Sequence, residues 1–559
     1  MAYLLLINPP FASPVTPYPS IPVLVPYLRG KSVEVDVFDA NIEFYQEFLS
    51  SENIKNGKLY SKERIKELVE KPHLSPDELE QYKSLLKAQR YDFLRKTDQT
   101  KILDYFSDGI KINHDFLNAT LSLTASPYFP QRIDSAEFSF INYKSAYSEF
   151  SSKDILRSVR KENDLLDPFF KQRFKEMFSV KKPLIAGISI YFQSQVLAAF
   201  NCARVIKSIA PQVHVTIGGA FVSCFMRDIK NSDLFTVIDS IVIDDGEIPL
   251  ERLITELSSS KPDLAKVPGL IYLQDCEIRK NDTSKYIPLA LLPTPDYSVF
   301  DIKKYFGYQN GMRLSARLCR GCYWAKCTFC RTKMDMICHY DEPSEDFIVN
   351  QISEIVESTG VHSLHFCDES APPILLERLC RKITEQALNI NWLTHLRFDA
   401  KLTLDRLLTY REAGCVTAVF GLEAYNDRIL RLMKKGTNIA LIERILSDVS
   451  WSGISSFVYM IVGFPTETEQ EALSAHDKIQ DLMSRSLIQN CVYNTFRITA
   501  GSPIYDNPSE FGITKIYSDE EKDLSPNLFF FDAQGMSRQK AIELERLFNQ
   551  NLKAGNFNS

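Results

Sequence analysis

The stretch Cys319-Arg320-Gly321-Cys322-Tyr323-Trp324-Ala325-Lys326-Cys327-Thr328-Phe329-Cys330 places four cysteines within twelve residues. The whole chain has 12 cysteines in 559 residues, far too few for a disulfide scaffold. Such a cluster points to metal binding or to chemistry. Cys327 and Cys330 lie three apart on a tight turn, which aims both sulfurs at one centre. Cys322 lies upstream, with four residues between it and Cys327. Three thiolates can hold three corners of a cubane iron–sulfur cluster and leave the fourth iron open. Adding Cys319 would make two Cys-x-x-Cys pairs only four residues apart, whereas zinc sites usually separate their pairs by a dozen or more. Cys319 therefore reads as a strand-end cysteine. A zinc site and a non-catalytic iron–sulfur module are the competing readings of the loop.

Working outward, short apolar runs alternate with helical stretches on the C-terminal side. Strands are expected at 313–318, 363–367, 391–396, 416–421, 454–461 and 488–498. Helices such as Ser344–Glu357 and Glu467–Ser484 lie between them. Six βα units make about three quarters of a (β/α)₈ barrel, whose functional groups sit at the carboxyl ends of the strands. The cysteine loop directly follows the first of these strands. His365 and His395 fall inside strands and read as satisfied core residues.

The N-terminal side alternates as well. Strands are expected at 3–7, 33–38, 184–190, 214–217 and 240–243, with helices at 21–28, 194–209 and 248–258. This pattern implies an α/β, doubly wound, Rossmann-like parallel sheet with a ligand site at its carboxyl edge. Residues 50–180 interrupt it as a mostly helical insertion rich in aromatics, among them Tyr128, Phe129, Phe140, Phe169 and Phe170. The expected organisation is a sheet domain at 1–260, a connector at 261–309, a barrel at 310–500 and a small helical tail at 501–559.

Composition narrows the function classes. Hydrophobic residues make up 45% and charged residues 24%, ordinary for a soluble globular chain. The net charge of −6 disfavours nucleic acid as a partner, because that needs a basic footprint. No run approaches the ~18 apolar residues of a membrane helix. The N-terminus lacks a basic leader, so a cytoplasmic location is expected.

The cysteine loop resembles that of the radical S-adenosylmethionine (SAM) superfamily. The usual spacing there is Cys-x3-Cys-x2-Cys with an aromatic before the last cysteine. Here it is Cys-x4-Cys-x2-Cys, with Phe329 in the aromatic place. Two further segments resemble the same enzymes: Phe420-Gly421-Leu422-Glu423 with Met433-Lys434-Lys435-Gly436, and Gly463-Phe464-Pro465-Thr466-Glu467-Thr468. In the first half, Asn8-Pro9-Pro10, Gly187-Ile188-Ser189, Gly218-Gly219 and Asp245-Gly246-Glu247 together resemble the cobalamin-binding domain fused to many of these enzymes. Asp-x-His-x-x-Gly is missing, so no histidine is positioned as a lower cobalt ligand.

The resemblance implies a fold, cofactors and roles. Cys322, Cys327 and Cys330 would hold a [4Fe-4S] cluster. SAM would chelate its open iron and, on one-electron reduction, yield a 5′-deoxyadenosyl radical. Phe329 would pack on the adenine, Asp368 and Glu369 would accept the methionine ammonium, and Arg397 would clamp the carboxylate. Glu423 would bind ribose or ammonium. Asn8, Pro9, Ser189, Gly218, Gly219, Gly246 and Glu247 would contact cobalamin. The implied reaction is C-methylation of an unactivated carbon in a natural-product, peptide or metabolite substrate. Rearrangement, cyclisation or oxidation without methyl transfer are the alternatives. Tyr323-Trp324 and Gly501-Ser502-Pro503-Ile504-Tyr505 also resemble members that act on ribosomal peptides. An electron donor such as flavodoxin or ferredoxin is implied, and neither nucleic acid nor membrane.

The spacing sets a first expected outcome. Alanine at Cys322, Cys327 or Cys330 abolishes the cluster, and alanine at Cys319 spares it, as read by iron per chain after anaerobic reconstitution. A full cluster in Cys327→Ala would refute the ligand set.

Overall fold

The computed structural model of the chain describes residues 3–76, 78–79, 81–83, 85–86, 124, 138–139, 142–143, 145–283, 286–308, 311–331, 339–525, 527–532 and 534–555. The chain divides into two compact units. One comprises Met1–Tyr286, Pro293–Met312 and Glu521–Leu524; the other comprises Ile287–Leu292, Arg313–Glu520 and Ser525–Ser559.

The first unit is built on a seven-stranded sheet. Its strands are β1 (Tyr3–Ile7), β2 (Glu34–Phe38), β3 (Ile185–Ser189), β4 (His214–Gly218), β5 (Ser240–Val242), β6 (Leu270–Gln274) and β7 (Glu277–Lys280). The spatial order is β2-β1-β3-β4-β5-β6-β7, with the first five parallel and the last two antiparallel. Continuous apolar runs form the central strands because both of their faces are covered: all five residues of β1 are buried. Helix Val196–Ile209 is buried along most of its length, as its apolar sequence requires.

The chain order reverses between β1 and β3, which opens a crevice at their carboxyl ends. The expected sheet therefore exists, but it runs past position 260. The hairpin β6–β7 lies in the stretch read as a connector, and residues 293–312 also join this unit.

A buried polar network fixes the end of β1. Asp39 caps helix Ala40–Phe48, accepting from the Ile42 amide at 3.3 Å. It also accepts from Asn8 Nδ2 at 2.9 Å and from the Tyr305 hydroxyl. Burial pushes the Asp39 carboxyl up to about 6, while its three donors pull the other way. Asp523 similarly accepts from the Ser152 amide and hydroxyl, at 2.8 and 2.7 Å, and draws residues 521–524 into this unit.

Of the insertion, helices Ser51–Val69, Ser152–Ser158 and Leu166–Val180 are described. Phe169 and Phe170 are buried there, stacked among Phe38, Phe44 and Phe174. Tyr128, Phe129 and Phe140 lie outside the described residues.

The second unit carries six parallel strands in sequential order: β8 (Leu314–Ala316), β9 (Ser363–Phe366), β10 (Asn391–Leu396), β11 (Cys415–Glu423), β12 (Ser455–Val462) and β13 (Asn490–Thr495). Burial alternates along them. Leu364, Trp392, Leu396, Phe420 and Val458 are fully buried on one face, where helices such as Leu404–Glu412 and Ile439–Trp451 pack. The opposite face is the concave inner face of the partial barrel. It carries His365, His395, Thr417, Phe457 and Tyr459, which remain partly or largely open.

The tail differs from its expected helical form. Strands β14 (Ile498–Thr499), β15 (Ile513–Tyr517) and β16 (Asn527–Asp532) make a small antiparallel sheet ordered β14-β16-β15 before helix Arg538–Gly555. Among the described residues, no helix is long and apolar enough to cross a membrane.

The Asp39 network yields a pH-dependent outcome. Its folded pKa, about 6, lies above the ordinary 3.8, so the folded state binds the extra proton. This group's contribution to stability therefore falls as pH rises from about 4 to about 6, then levels. Tyr305→Phe removes a donor to the ionised form. The expected loss is about 2 kcal/mol at pH 8 and clearly less at pH 5, read from urea unfolding at both pH values. An equal loss at both would show that Asp39 does not titrate in this range.

Candidate active site

The cysteine loop leaves β8 and is closed at its base by an antiparallel bridge. The Arg320 amide donates to the Asp341 carbonyl at 2.9 Å, and the Asp341 amide returns a bond at 3.1 Å. The loop is then pinned from several sides. Thr328 donates its amide to the Met433 carbonyl and its hydroxyl to the Leu432 carbonyl, at 3.0 and 2.9 Å. The Ile504 amide donates to the Thr328 carbonyl at 2.9 Å. Trp324 Nε1 donates to the Lys434 carbonyl at 3.0 Å, and the Tyr323 hydroxyl donates to Asp399 Oδ2 at 3.1 Å. Gly436 has a φ of +73° and lies flat against the Trp324 ring, so any Cβ there would collide with it.

The structure separates Cys319 from the other three. Cys319 is only 2% exposed, and its amide donates to Asp368 Oδ1 at 2.8 Å. Burial, then Asp368, pushes its thiol far up. Cys322, Cys327 and Cys330 instead act on one another. Burial raises the Cys327 thiol, with Cys322 adding to the rise, while Lys435 and Arg397 oppose it. Cys330 is pushed up to about 12 by burial first, then by Cys327, Glu369 and Cys322.

Two cations serve these thiols. Arg397, ending β10 and 7% exposed, has Nη1 at 3.8 Å from Cys327 Sγ. Its guanidinium carbon lies 4.2 Å from the centre of the Trp324 ring, and Nη2 donates to the Lys435 carbonyl. Lys435 Nζ pairs with Glu423 Oε1 at 2.8 Å and lies 5.6 Å from the centre of the Phe329 ring. Glu423 ends β11 at a φ of +67°, a strained position beside a register shift.

Three of the expected SAM contacts, Asp368, Arg397 and Glu423, already have partners within the protein. Asp368, 3% exposed, accepts from the amides of Leu318 and Cys319 at 2.9 and 2.8 Å. Its Oδ1 positions the start of the loop, while its Oδ2 is buried without a hydrogen-bond partner, so Asp368 and Glu369 each keep an acceptor oxygen uncommitted. Glu369 reaches solvent, yet protein around it pushes its carboxyl up, as for a group in a cleft. Arg397 commits Nη1 to Cys327 of the loop and Nη2 to the Lys435 carbonyl, and its Nε is left without a partner. Glu423 is neutralised by Lys435, a residue that the sequence reading left without a role.

The two histidines expected as satisfied core residues are only partly enclosed. His365 and His395 share the inner barrel face, with ring centres 5.3 Å apart. His365 Nε2 is buried without a hydrogen-bond partner. Burial lowers both imidazoles, His365 to about 4, so both are neutral at neutral pH. Their alternation with buried Leu364 and Trp392 was the available signal.

The residues fit an iron–sulfur cluster. Arg397 Nε and Thr437 Oγ1 are buried without partners at the carboxyl ends of the strands, as expected where a polar ligand group belongs. Among the described residues, no three His, Cys, Asp or Glu side chains converge as a single metal ion requires.

In the first unit, the residues expected at cobalamin share the carboxyl edge of the sheet. Asn8 and Pro9 follow β1, Ser189 ends β3, Gly218 and Gly219 end β4, and Gly246 and Glu247 start helix Glu247–Leu257. Asn8 is committed internally: its Oδ1 accepts from Gln195 Nε2 at 3.1 Å, and the same amide donates to the Pro9 carbonyl at 2.8 Å. Gly219 has a φ of +108°, and a Cβ there would lie 2.6 Å from the Ile190 carbonyl, so the turn itself demands glycine. Tyr18, Tyr191 and Phe192 group beside the crevice, with Tyr191 partly exposed, which suits a large flat ligand. His214 begins β4, at the opposite end, and contacts Ser240 Oγ at 2.8 Å.

Residues 317–479 match the Radical SAM superfamily. The chain carries a radical SAM domain. The matched segment lies on the six-stranded unit, and a [4Fe-4S] cluster and SAM are the cofactors of that superfamily. The chain is 25% identical over 330 residues to an uncharacterized methyltransferase of Pyrococcus horikoshii, covering 56% of this chain and 69% of the relative. Its fold is similar to that of the radical SAM methyltransferase TsrM from Kitasatospora setae, solved with cobalamin and a [4Fe-4S] cluster bound. The identity there is 14% and the TM-score 0.59, over 98% of this chain and 91% of that one. It is also similar to the cobalamin-dependent radical enzyme OxsB, solved with aqua-cobalamin and SAM bound. That identity is 17% and the TM-score 0.54, over 67% of this chain and 59% of OxsB. These likenesses establish the fold of a doubly wound domain and a radical SAM barrel in one chain.

The Trp324 seat sets the next outcome. Gly436→Ala displaces the ring and loosens the loop. Iron retained after reconstitution and gel filtration should fall severalfold, with far-UV circular dichroism unchanged. Full retention would mean that the ring does not hold the loop.

Proposed function

We propose that the protein is a cobalamin-dependent radical SAM methyltransferase acting on an unactivated carbon of a small-molecule or peptide substrate. The observation that carries this reading is the combination in one chain of two features. One is a three-cysteine loop at the barrel's carboxyl end; the other is a doubly wound sheet whose carboxyl edge gathers Asn8 to Glu247. The methyltransferase relative and the fold shared with TsrM support it.

Cys322, Cys327 and Cys330 would hold the cluster. When bound, the cluster and SAM supply a carbon-centred radical, and cobalamin carries the methyl group. The chain's own residues bind and orient. Glu369 offers its carboxylate to the SAM ammonium by a charge-assisted hydrogen bond. Phe329 presents a ring to the adenine, and the Lys435–Glu423 pair fixes the floor beside it. The neutral His365 and His395 provide hydrogen-bonding groups on the inner face without adding charge. A flavodoxin- or ferredoxin-type donor supplies the electron. On the sheet, the residues at the crevice between β1 and β3 would hold the corrin, and His214, at the opposite strand end, would not reach it.

Two measurements test this reading. Protein reconstituted anaerobically with iron and sulfide, then mixed with SAM and dithionite, should release 5′-deoxyadenosine, or S-adenosylhomocysteine with cobalamin present. Titration with hydroxocobalamin should be saturable. The cob(II)alamin form should show no nitrogen splitting from a histidine in its paramagnetic spectrum. Absence of cobalamin binding would refute the cobalamin assignment. Histidine splitting would refute the claim for the lower face.

A further inference from the structure

Arg397 is placed differently from a residue that simply awaits a carboxylate. Its Nη1 donates to Cys327 Sγ at 3.8 Å, and its Nη2 donates to the Lys435 carbonyl. Its guanidinium plane lies against the Trp324 ring at 4.2 Å. The side chain is 7% exposed, so its charge is held in place and weakly screened by water. No acidic side chain is hydrogen-bonded or ion-paired to it among the described residues. The nearby carboxylate Glu423 is taken by Lys435. A fixed, unneutralised cation therefore stands on one cluster-ligand sulfur.

We propose that Arg397 is a positioning residue that raises the reduction potential of the cluster held by Cys322, Cys327 and Cys330, so that a low-potential one-electron donor can reduce it. This rests on the ligand reading of those cysteines. A cluster bound by three thiolates is already anionic, and reduction adds one more negative charge. No bond forms or breaks in that step; one electron passes from the donor to the cluster. A buried cation, and a hydrogen bond drawing electron density from a thiolate, stabilise the reduced form more than the oxidised one. Arg suits this task better than Lys, since its planar fork reaches Cys327 and the Lys435 carbonyl together and still stacks on Trp324.

The test uses the full chain, reconstituted anaerobically without SAM and poised with dithionite and redox mediators. The reduced cluster is counted by electron paramagnetic resonance, and iron per chain is measured in parallel. In Arg397→Gln the reduced-to-oxidised ratio at a fixed potential should fall about tenfold, equal to about 59 mV for a one-electron couple. Arg397→Lys keeps a charge but loses the fork, and should fall severalfold. If Arg397→Gln does not load iron, the Arg397→Lys value decides. A loaded variant with the wild-type ratio overturns the proposal. So does weakened SAM binding with an unchanged SAM-free ratio, which would make Arg397 a carboxylate clamp. Failure of the underlying reading looks different: wild-type protein that holds no cluster, or Cys327→Ala that holds a full one, removes both.

Discussion

Three neighbouring thiols in one mostly buried loop, Cys322, Cys327 and Cys330, set the constraint on the barrel unit. Burial raises Cys327 and Cys330, and each thiolate disfavours the next. The fold answers with two cations from different elements. Arg397 comes from the end of β10, and Lys435 from the turn that follows helix Asp427–Leu432. Lys435 is held by Glu423 and Arg397 by the Trp324 ring, so neither can swing away into water. The same turn that supplies Lys435 also supplies the carbonyls of Leu432, Met433 and Lys434 that pin the loop. One short segment thus supplies one of the two charges and much of the loop's geometry.

The sheet unit follows the same logic at a different edge. Parallel strands end together, so the loops that leave them gather on one side. What stabilises those loops is largely internal. Gln195 joins Asn8 to the Pro9 carbonyl, and Asp39 joins Asn8 to Tyr305. A buried carboxylate with three donors is expensive to desolvate but fixes one arrangement. Residues that resemble a binding motif are here also the frame of the loop, and the glycines have packing reasons of their own.

Much of the fold was legible because periodicity reports burial. Strands buried on both faces read as unbroken apolar runs, as in β1 and β3, and β9 to β12 fall within two residues of their expected places. Elements were missed where local composition competes with long-range pairing. The hairpin Leu270–Lys280 sits in a stretch that prolines mark as a connector. Strands Ile513–Tyr517 and Asn527–Asp532 are short, and among the described residues they pair only with each other and with Ile498–Thr499. Such strands are stabilised by cross-strand contacts that no single segment shows.

The sequence by itself determined which thiols lie near one another, since Cys322, Cys327 and Cys330 are close along the chain. It also determined the two alternating α/β patterns, because hydrophobic period follows from which faces are covered. Tertiary structure alone decided the partners. Asp368 turned its Oδ1 to the backbone of the loop. Arg397 met Cys327 across 70 positions, Lys435 met Glu423, and His365 met His395 on the inner face. These choices depend on strand register and on the angle at which each strand end leaves the barrel, and a hydrogen bond between distant residues exists only once that register is set.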